Sequence, residues 1–99
     1  MKTYYVYIMT NKINTVLYTG VTGNIVQRLR DHKEGKNTTA FTRKYNICKL
    51  VYVESTDSIE AALNYEKKIK SWSRKKKIEL VEKDNPKWED LGTKYEIDF

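Results

Sequence analysis

The chain has 99 residues and a mass of 11.8 kDa, which allows one compact domain over residues 1–99 and excludes a multidomain enzyme. Hydrophobic residues make up 39% and charged residues 32%, a folding composition rather than a disordered one. Nineteen Lys and Arg against thirteen Asp and Glu give a formal net charge of +6 and a pI near 9.4, a positive field that attracts polyanions, nucleic acid first among them.

In chain order, Thr3 to Met9 reads TYYVYIM, which predicts a strand with Tyr4, Val6 and Ile8 on one face and Tyr5, Tyr7 and Met9 on the other. A turn-rich segment from Thr10 to Thr15 and a short strand Val16 to Thr19 complete a hairpin, closed by Gly20 and Gly23. Asn24 with Gln27 three residues on marks a helix start, and Gly35 its end. Residues 36–47 show no clear period and predict a loop or a short helical turn. Cys48 to Val53 predicts a third strand, and Asp57 with Glu60 opens a helix running towards Ile69. A further helix through Ile78, Leu80 and Val81 stops before Asn85-Pro86, because the residue before proline is driven out of helical geometry. Trp88 and Leu91 are expected to pack the tail back. The order β-β-α-β-α-α predicts an α+β domain with a small, mainly antiparallel three-stranded sheet flanked by helices.

The longest apolar runs are a few residues, against the roughly 20 needed to cross a bilayer, and no leader precedes Tyr4. The expectation is a cytoplasmic protein with no membrane partner. Cys48 is the sole cysteine and His32 the sole histidine, which excludes an internal disulfide and a cysteine-based zinc site. A metal site would rest on oxygen ligands, and so on magnesium or manganese.

Two helices break their own pattern. Ile59, Ala62, Leu63 and Ile69 fall on one helical face, and Glu66 occupies its centre. A carboxylate there needs a cation, a metal or a cleft; the plain alternative is a twist that frees it to pair with Lys70. On the Asn24 helix, Ile25, Arg28, Leu29 and His32 share a stripe. Arg28 offers fixed donors to a phosphate and His32 a proton relay; plainly read, Arg28 snorkels and His32 is a partly buried histidine. Tyr7 and Tyr18 lie on adjacent strands and can face each other, as packing or as chemistry.

The ordered set Tyr5-Val6-Tyr7, Tyr18-Thr19-Gly20, Arg28, His32 and Glu66 resembles the GIY-YIG nuclease family, most closely its short stand-alone bacterial members. Tyr5 stands where the name-giving glycine falls, and Thr19 replaces isoleucine or valine. The resemblance implies a divalent-metal-dependent phosphodiesterase with Tyr7, Tyr18, Arg28, His32 and Glu66 as catalytic residues. Glu66 would be the metal ligand, for magnesium or manganese. Asn85 matches a later asparagine of some members.

The implied chemistry needs a water activated by Tyr7 or Tyr18, a proton relay at His32 and charge relief on the phosphate from Arg28 and the ion. A phenol acting as base needs a nearby cation. Seven of the eleven residues from Lys67 to Lys77 are basic. Of these, Lys67, Lys68, Lys70, Arg74, Lys75, Lys76 and Lys77 are expected to follow a nucleic-acid backbone with little sequence preference. Trp72 in their midst reads as core or as a base-stacking ring. The partner expected is nucleic acid, DNA before RNA. The competing reading is a non-catalytic nucleic-acid-binding or protein-interaction module that keeps the fold.

Overall fold

A computed structural model describes residues 2–36 and 38–95; residues 1, 37 and 96–99 of the expected domain lie outside the described residues. The elements are β1 (Tyr4–Thr10), β2 (Leu17–Thr22), α1 (Ile25–Glu34), α2 (Ala40–Lys44), β3 (Lys49–Thr56), α3 (Ile59–Lys70), α4 (Arg74–Asp84) and a closing 3-10 turn at Leu91–Lys94. The three strands form one antiparallel sheet in the order β2-β1-β3. The fold is α+β, as the sequence predicts, and α2 is the short helical turn given as one alternative for residues 36–47.

The alternation along β1 divides the core in two. Val6 and Ile8 point to one face with Tyr52, Ala62, Ile69 and Val81, against α3 and α4. Tyr7 and Met9 point to the other, with Ile25 and Leu29 of α1, Ile47 and Leu50. As the central strand, β1 is buried on both sides, so its apolar side chains carry the largest share of desolvation. The hairpin connection is shaped by Asn11, whose Oδ1 accepts from the amides of Thr15 (2.8 Å) and Val16 (3.1 Å) while its amide donates to Thr15 Oγ1 (2.7 Å).

Helix starts follow side-chain caps. Asn24 Oδ1 accepts from the Gln27 amide at 3.0 Å, and Gly35 closes α1 in the left-handed region at φ 70°. The Gln27 side chain turns away from the cap and bonds Asp31 Oδ1 at 2.9 Å instead. The cap of α3 is Ser58, which accepts from the Ala61 amide, one residue beyond the expected Asp57. The apolar face of α3 also differs from its projection: Ala62 and Ile69 are buried and Tyr65 packs beside them, whereas Ile59 and Leu63 are exposed. Tyr65 is drawn inward by a 2.9 Å hydroxyl contact with Tyr52 of β3, which rotates the helix and moves Glu66 from the centre of the face to its flank.

The tail packs as expected, Trp88 on one core and Leu91 on the other. Asn85 is buried. Its amide donates to the carbonyls of Val51 (3.1 Å) and Glu89 (2.9 Å), and its Oδ1 accepts from the Glu89 amide (2.9 Å). Those bonds join the end of α4 to β3, so Asn85 holds the fold together at that corner.

Candidate active site

Tyr7 pairs with Gly20 in the β1–β2 register, and Tyr18 pairs with Met9. The two tyrosines are therefore diagonal neighbours on one face rather than directly opposed, with ring centroids 6.4 Å apart. Gly20, expected to close the hairpin, lies within β2 and serves another purpose: the phenol of Tyr7 crosses it so closely that a Cβ there would come within 2.5 Å of Oη. Tyr18 is half-buried and Tyr7 is 2% exposed, so water reaches Tyr18 far more readily.

Helix α1 supplies the next two groups. Ile25 and Leu29 anchor it in the core, and this orientation holds Arg28 and His32 half-buried above the tyrosines. The His32 ring meets the edge of Tyr18 at 5.8 Å between centroids. Burial, reinforced by the Arg28 guanidinium and opposed by Asp31, holds the His32 pKa below its ordinary value, so the imidazole is neutral at pH 7. Both its ring nitrogens are buried without a hydrogen-bond partner. The ring also borders a polar cleft of about 330 Å³ shared with Thr38, Thr42, Arg43 and Asn46.

A lowered histidine pKa has a stability consequence whose sign is fixed. Below the ordinary value of about 6.5 the unfolded chain takes up a proton that folded His32 resists, so this contribution is present above that pH and is lost as pH falls through the folded pKa. The melting temperature of the wild type is expected to fall more steeply from pH 7 to pH 5 than that of His32→Gln. Parallel profiles in calorimetry would exclude the effect.

Glu66 comes from α3, which packs against both β1 and β2. The carboxylate is the weakest of the influences on the Tyr7 phenol. Burial pushes the Tyr7 pKa well above the ordinary phenol range. Tyr18 adds to the rise, Arg28 opposes it and Glu66 adds again. Burial outweighs the guanidinium, and Tyr7 remains a protonated donor. One phenol thus feels Tyr18, Arg28 and Glu66 together, while His32 feels Arg28 and touches Tyr18. Tyr7, Tyr18 and His32 form a chain of neighbouring rings, and the charges of Arg28 and Glu66 act on Tyr7.

The Glu66 side chain is 15% exposed and its carboxylate lies 3.3 Å from Lys70 Nζ, so the plain pairing expected for it is also present. Among the described residues no three His, Cys, Asp or Glu side chains gather around a point. A single carboxylate is a hard oxygen donor that would leave most positions around an ion to water and substrate. This fits magnesium or manganese, which keep several waters and bind through one or two carboxylates, and does not fit zinc.

The basic residues from Lys67 to Lys77 occupy the corner where α3 ends and α4 begins. Lys67, Lys68, Lys70, Arg74, Lys75 and Lys76 are exposed and Lys77 is half-buried. Trp72 packs on the core, and Lys76 Nζ lies over its ring at 4.3 Å, so its face is occupied and it is not a free stacking platform. Sequence reasoning passed over Phe41, on the short helix α2. Its ring stacks against Tyr18 with centroids 6.5 Å apart and planes 30° apart. The signal was present as two aromatics four residues apart, Phe41 and Tyr45, interleaved with Arg43 and Lys44.

Two tyrosines on adjacent strands, an arginine and histidine one helical turn apart and a lone helical glutamate are the features by which this chain resembles a class of nuclease domain. Residues 3–79 match the GIY-YIG catalytic domain, and the chain belongs to that family. Its relatives include a UPF0213 protein of Syntrophus aciditrophicus, 43% identical over 82 residues that cover 83% of this chain and 92% of the relative. Another, from Haloquadratum walsbyi, is 39% identical over 79 residues, covering 80% and 86%. The solution NMR structure of the UPF0213 protein BH0048 from Bacillus halodurans superposes with a TM-score of 0.57 at 33% identity, covering 89% of this chain and 92% of that one. Family membership supports a nuclease-type function and hence a nucleic-acid substrate. Among the described residues no helix is long and apolar enough to cross a membrane.

Proposed function

We propose that this protein hydrolyses phosphodiester bonds in nucleic acid, DNA before RNA, with little sequence preference, aided by a magnesium or manganese ion held at Glu66. The observation that carries this reading is the row of neighbouring rings Tyr7, Tyr18 and His32, 6.4 Å and 5.8 Å between successive centroids, with the charges of Arg28 and Glu66 acting on the buried phenol of Tyr7. A pure polyanion binder has no use for an acid at that point. When bound, the ion supplies positive charge against the phosphoryl oxygens and the nucleophile.

The chain's own groups divide the remaining work. Arg28, permanently charged, holds the scissile phosphate. Tyr7 keeps its proton and donates a hydrogen bond towards the phosphate or the attacking water. Tyr18, the better hydrated phenol, orients that water. His32 is neutral at pH 7, has unused ring nitrogens and accepts the proton of the attacking water as its oxygen bonds to phosphorus and the bond from phosphorus to the leaving sugar oxygen breaks; the leaving oxygen takes up a proton from His32 or solvent. The lysines and arginine of the α3–α4 corner hold the strand by charge alone, so affinity should fall steeply with salt.

The test is incubation with linear, nicked, flapped and single-stranded DNA, and with RNA of matching sequence, in magnesium or manganese. Tyr18→Phe is expected to lower the cleavage rate about 100-fold, in the range of general acid–base contributions, and Tyr7→Phe, which removes a hydrogen-bond donor, by a similar factor. Full activity in Tyr18→Phe would remove that residue from the mechanism. The Glu66–Lys70 ion pair favours the second reading, a binding module without turnover. Magnesium-dependent DNA affinity with no strand scission would establish it.

A further inference from the structure

Beside the tyrosine pair lies a cavity of about 380 Å³, lined by Val16 and Leu17 of the hairpin, Phe41 and Tyr45 at and just beyond α2, and Arg74 and Lys77 of α4. Its aromatic wall is open: Phe41 is 45% exposed and Tyr45 37%. The two rings lie 4.8 Å apart between centroids. Tyr18 stacks on one side of Phe41, and Lys44 Nζ lies over the Tyr45 ring at 5.3 Å, so Phe41 rather than Tyr45 offers the open stacking face. Exposed aromatic rings cost solvation free energy, and a short helix and its C-terminal cap that present two of them next to a cationic wall have the composition of a site for flat, anionic ligands.

We infer that Phe41, flanked by Tyr45 and with Arg74 and Lys77 in the same lining, forms a subsite for one unstacked nucleobase and its phosphate, next to the phosphate that Tyr18 and Arg28 address. The inference rests on the nuclease reading for its substrate class, and it adds that the strand must be unpaired at this point. A base lying on Phe41 continues a stack that begins with Tyr18, placing the neighbouring phosphodiester beside the tyrosine pair. Arg74 and Lys77 meet the backbone. Every base has a π-face, so such a subsite reads no sequence. A paired base cannot enter without leaving its duplex, so the site selects for unpaired structure.

Binding separates this inference from catalysis. Fluorescence anisotropy in EDTA would compare a short oligothymidine, the same strand scanned with a single abasic position, and a duplex of equal length. The wild type is expected to lose about tenfold in affinity when the abasic position falls in the subsite, within the range of base–aromatic stacking. Phe41→Ala is expected to lose about the same factor on the intact strand and nothing further on the abasic one, a non-additive cycle that general destabilisation cannot produce. Phe41→Trp, which keeps a flat ring, restores the preference. Arg74→Gln weakens intact and abasic strands alike and makes the salt dependence shallower.

Equal losses from Phe41→Ala on intact and abasic strands overturn the inference, as does duplex affinity with the same dependence on Phe41. If Phe41→Ala leaves DNA binding unchanged and instead abolishes a concentration-dependent dimer in sedimentation, the patch is a contact between copies and the inference also fails. Strand scission in magnesium is scored separately. Cleavage without the base effect removes the subsite and leaves the nuclease reading, whereas the base effect without cleavage does the reverse.

Discussion

Glu66→Gln is expected to lower metal-dependent cleavage by more than ~100-fold while leaving the melting temperature almost unchanged. Glutamine has the same shape, so the flank of α3 stays filled beside Ala62 and Ile69. Only the charge disappears. The stability lost is that of one ion pair to Lys70, whose side chain is 54% exposed, a contact worth about 0–1 kcal/mol. The two roles available to Glu66, salt-bridge partner and metal ligand, therefore make opposite forecasts. If the pair with Lys70 is its whole purpose, Glu66→Gln and Lys70→Gln must resemble each other in stability and in activity. If Glu66 holds the ion, the two variants share a melting temperature and part company in rate, because Lys70→Gln keeps the carboxylate and weakens only phosphate attraction. Thermal unfolding and initial rates in magnesium on the same preparations decide between them, and equal rates would remove the metal-ligand role.

The difficulty of reading Glu66 shows how far sequence periodicity reaches. A 3.6-residue period identifies α3 and its approximate buried side, since Ala62 and Ile69 are both in the core. It cannot fix the centre of that side. The Tyr52–Tyr65 hydroxyl contact is made between elements, and it rotates the helix so that Ile59 and Leu63 face water. The strand β1 was easier, because a central strand is buried on both faces and its Tyr4 to Met9 run alternates cleanly between the two cores. Helix α2 was legible only as one of two alternatives, a loop or a short helical turn, for lack of length. Five residues make less than two turns, too few for a period to register, and its hold on the protein is the buried Thr42 with the Thr39 cap.

The candidate site was legible as residue types in order, since Arg28 and His32 interrupt the apolar stripe of Ile25 and Leu29 one turn apart. The electrostatic outcome was not legible. Arg28 beside a tyrosine suggests a phenolate, yet the depth of Tyr7 outweighs the guanidinium, and depth is a property of the packed molecule. The same holds for His32, whose neutral state follows from burial and Arg28 acting together.

Gly20→Ala is expected to damage both stability and cleavage, although it adds a single methyl group. The ideal Cβ lies 2.5 Å from Tyr7 Oη and 2.6 Å from Cζ, distances that real side chains do not tolerate. Relief must come from the Tyr7 ring, and that ring is 2% exposed within the core of Met9, Ile25 and Leu29, with nowhere to swing but into its neighbours. Overpacking of this kind costs about 1–3 kcal/mol, which for a chain this size lowers the melting temperature by several degrees. Cleavage is expected to fall about 100-fold, the penalty for moving a positioned group by about an ångström, since Tyr7 is the phenol on which the fields of Tyr18, Arg28 and Glu66 meet. Gly23→Ala is the matched control. There the new Cβ meets the end of the Lys2 side chain, Cε at 2.9 Å and Nζ at 3.2 Å, and a flexible lysine in solvent moves aside at little cost. A wild-type rate and melting temperature in Gly20→Ala would mean that the close approach of Tyr7 to β2 does not position the phenol, and the argument for a buried donor at the scissile phosphate would go with it.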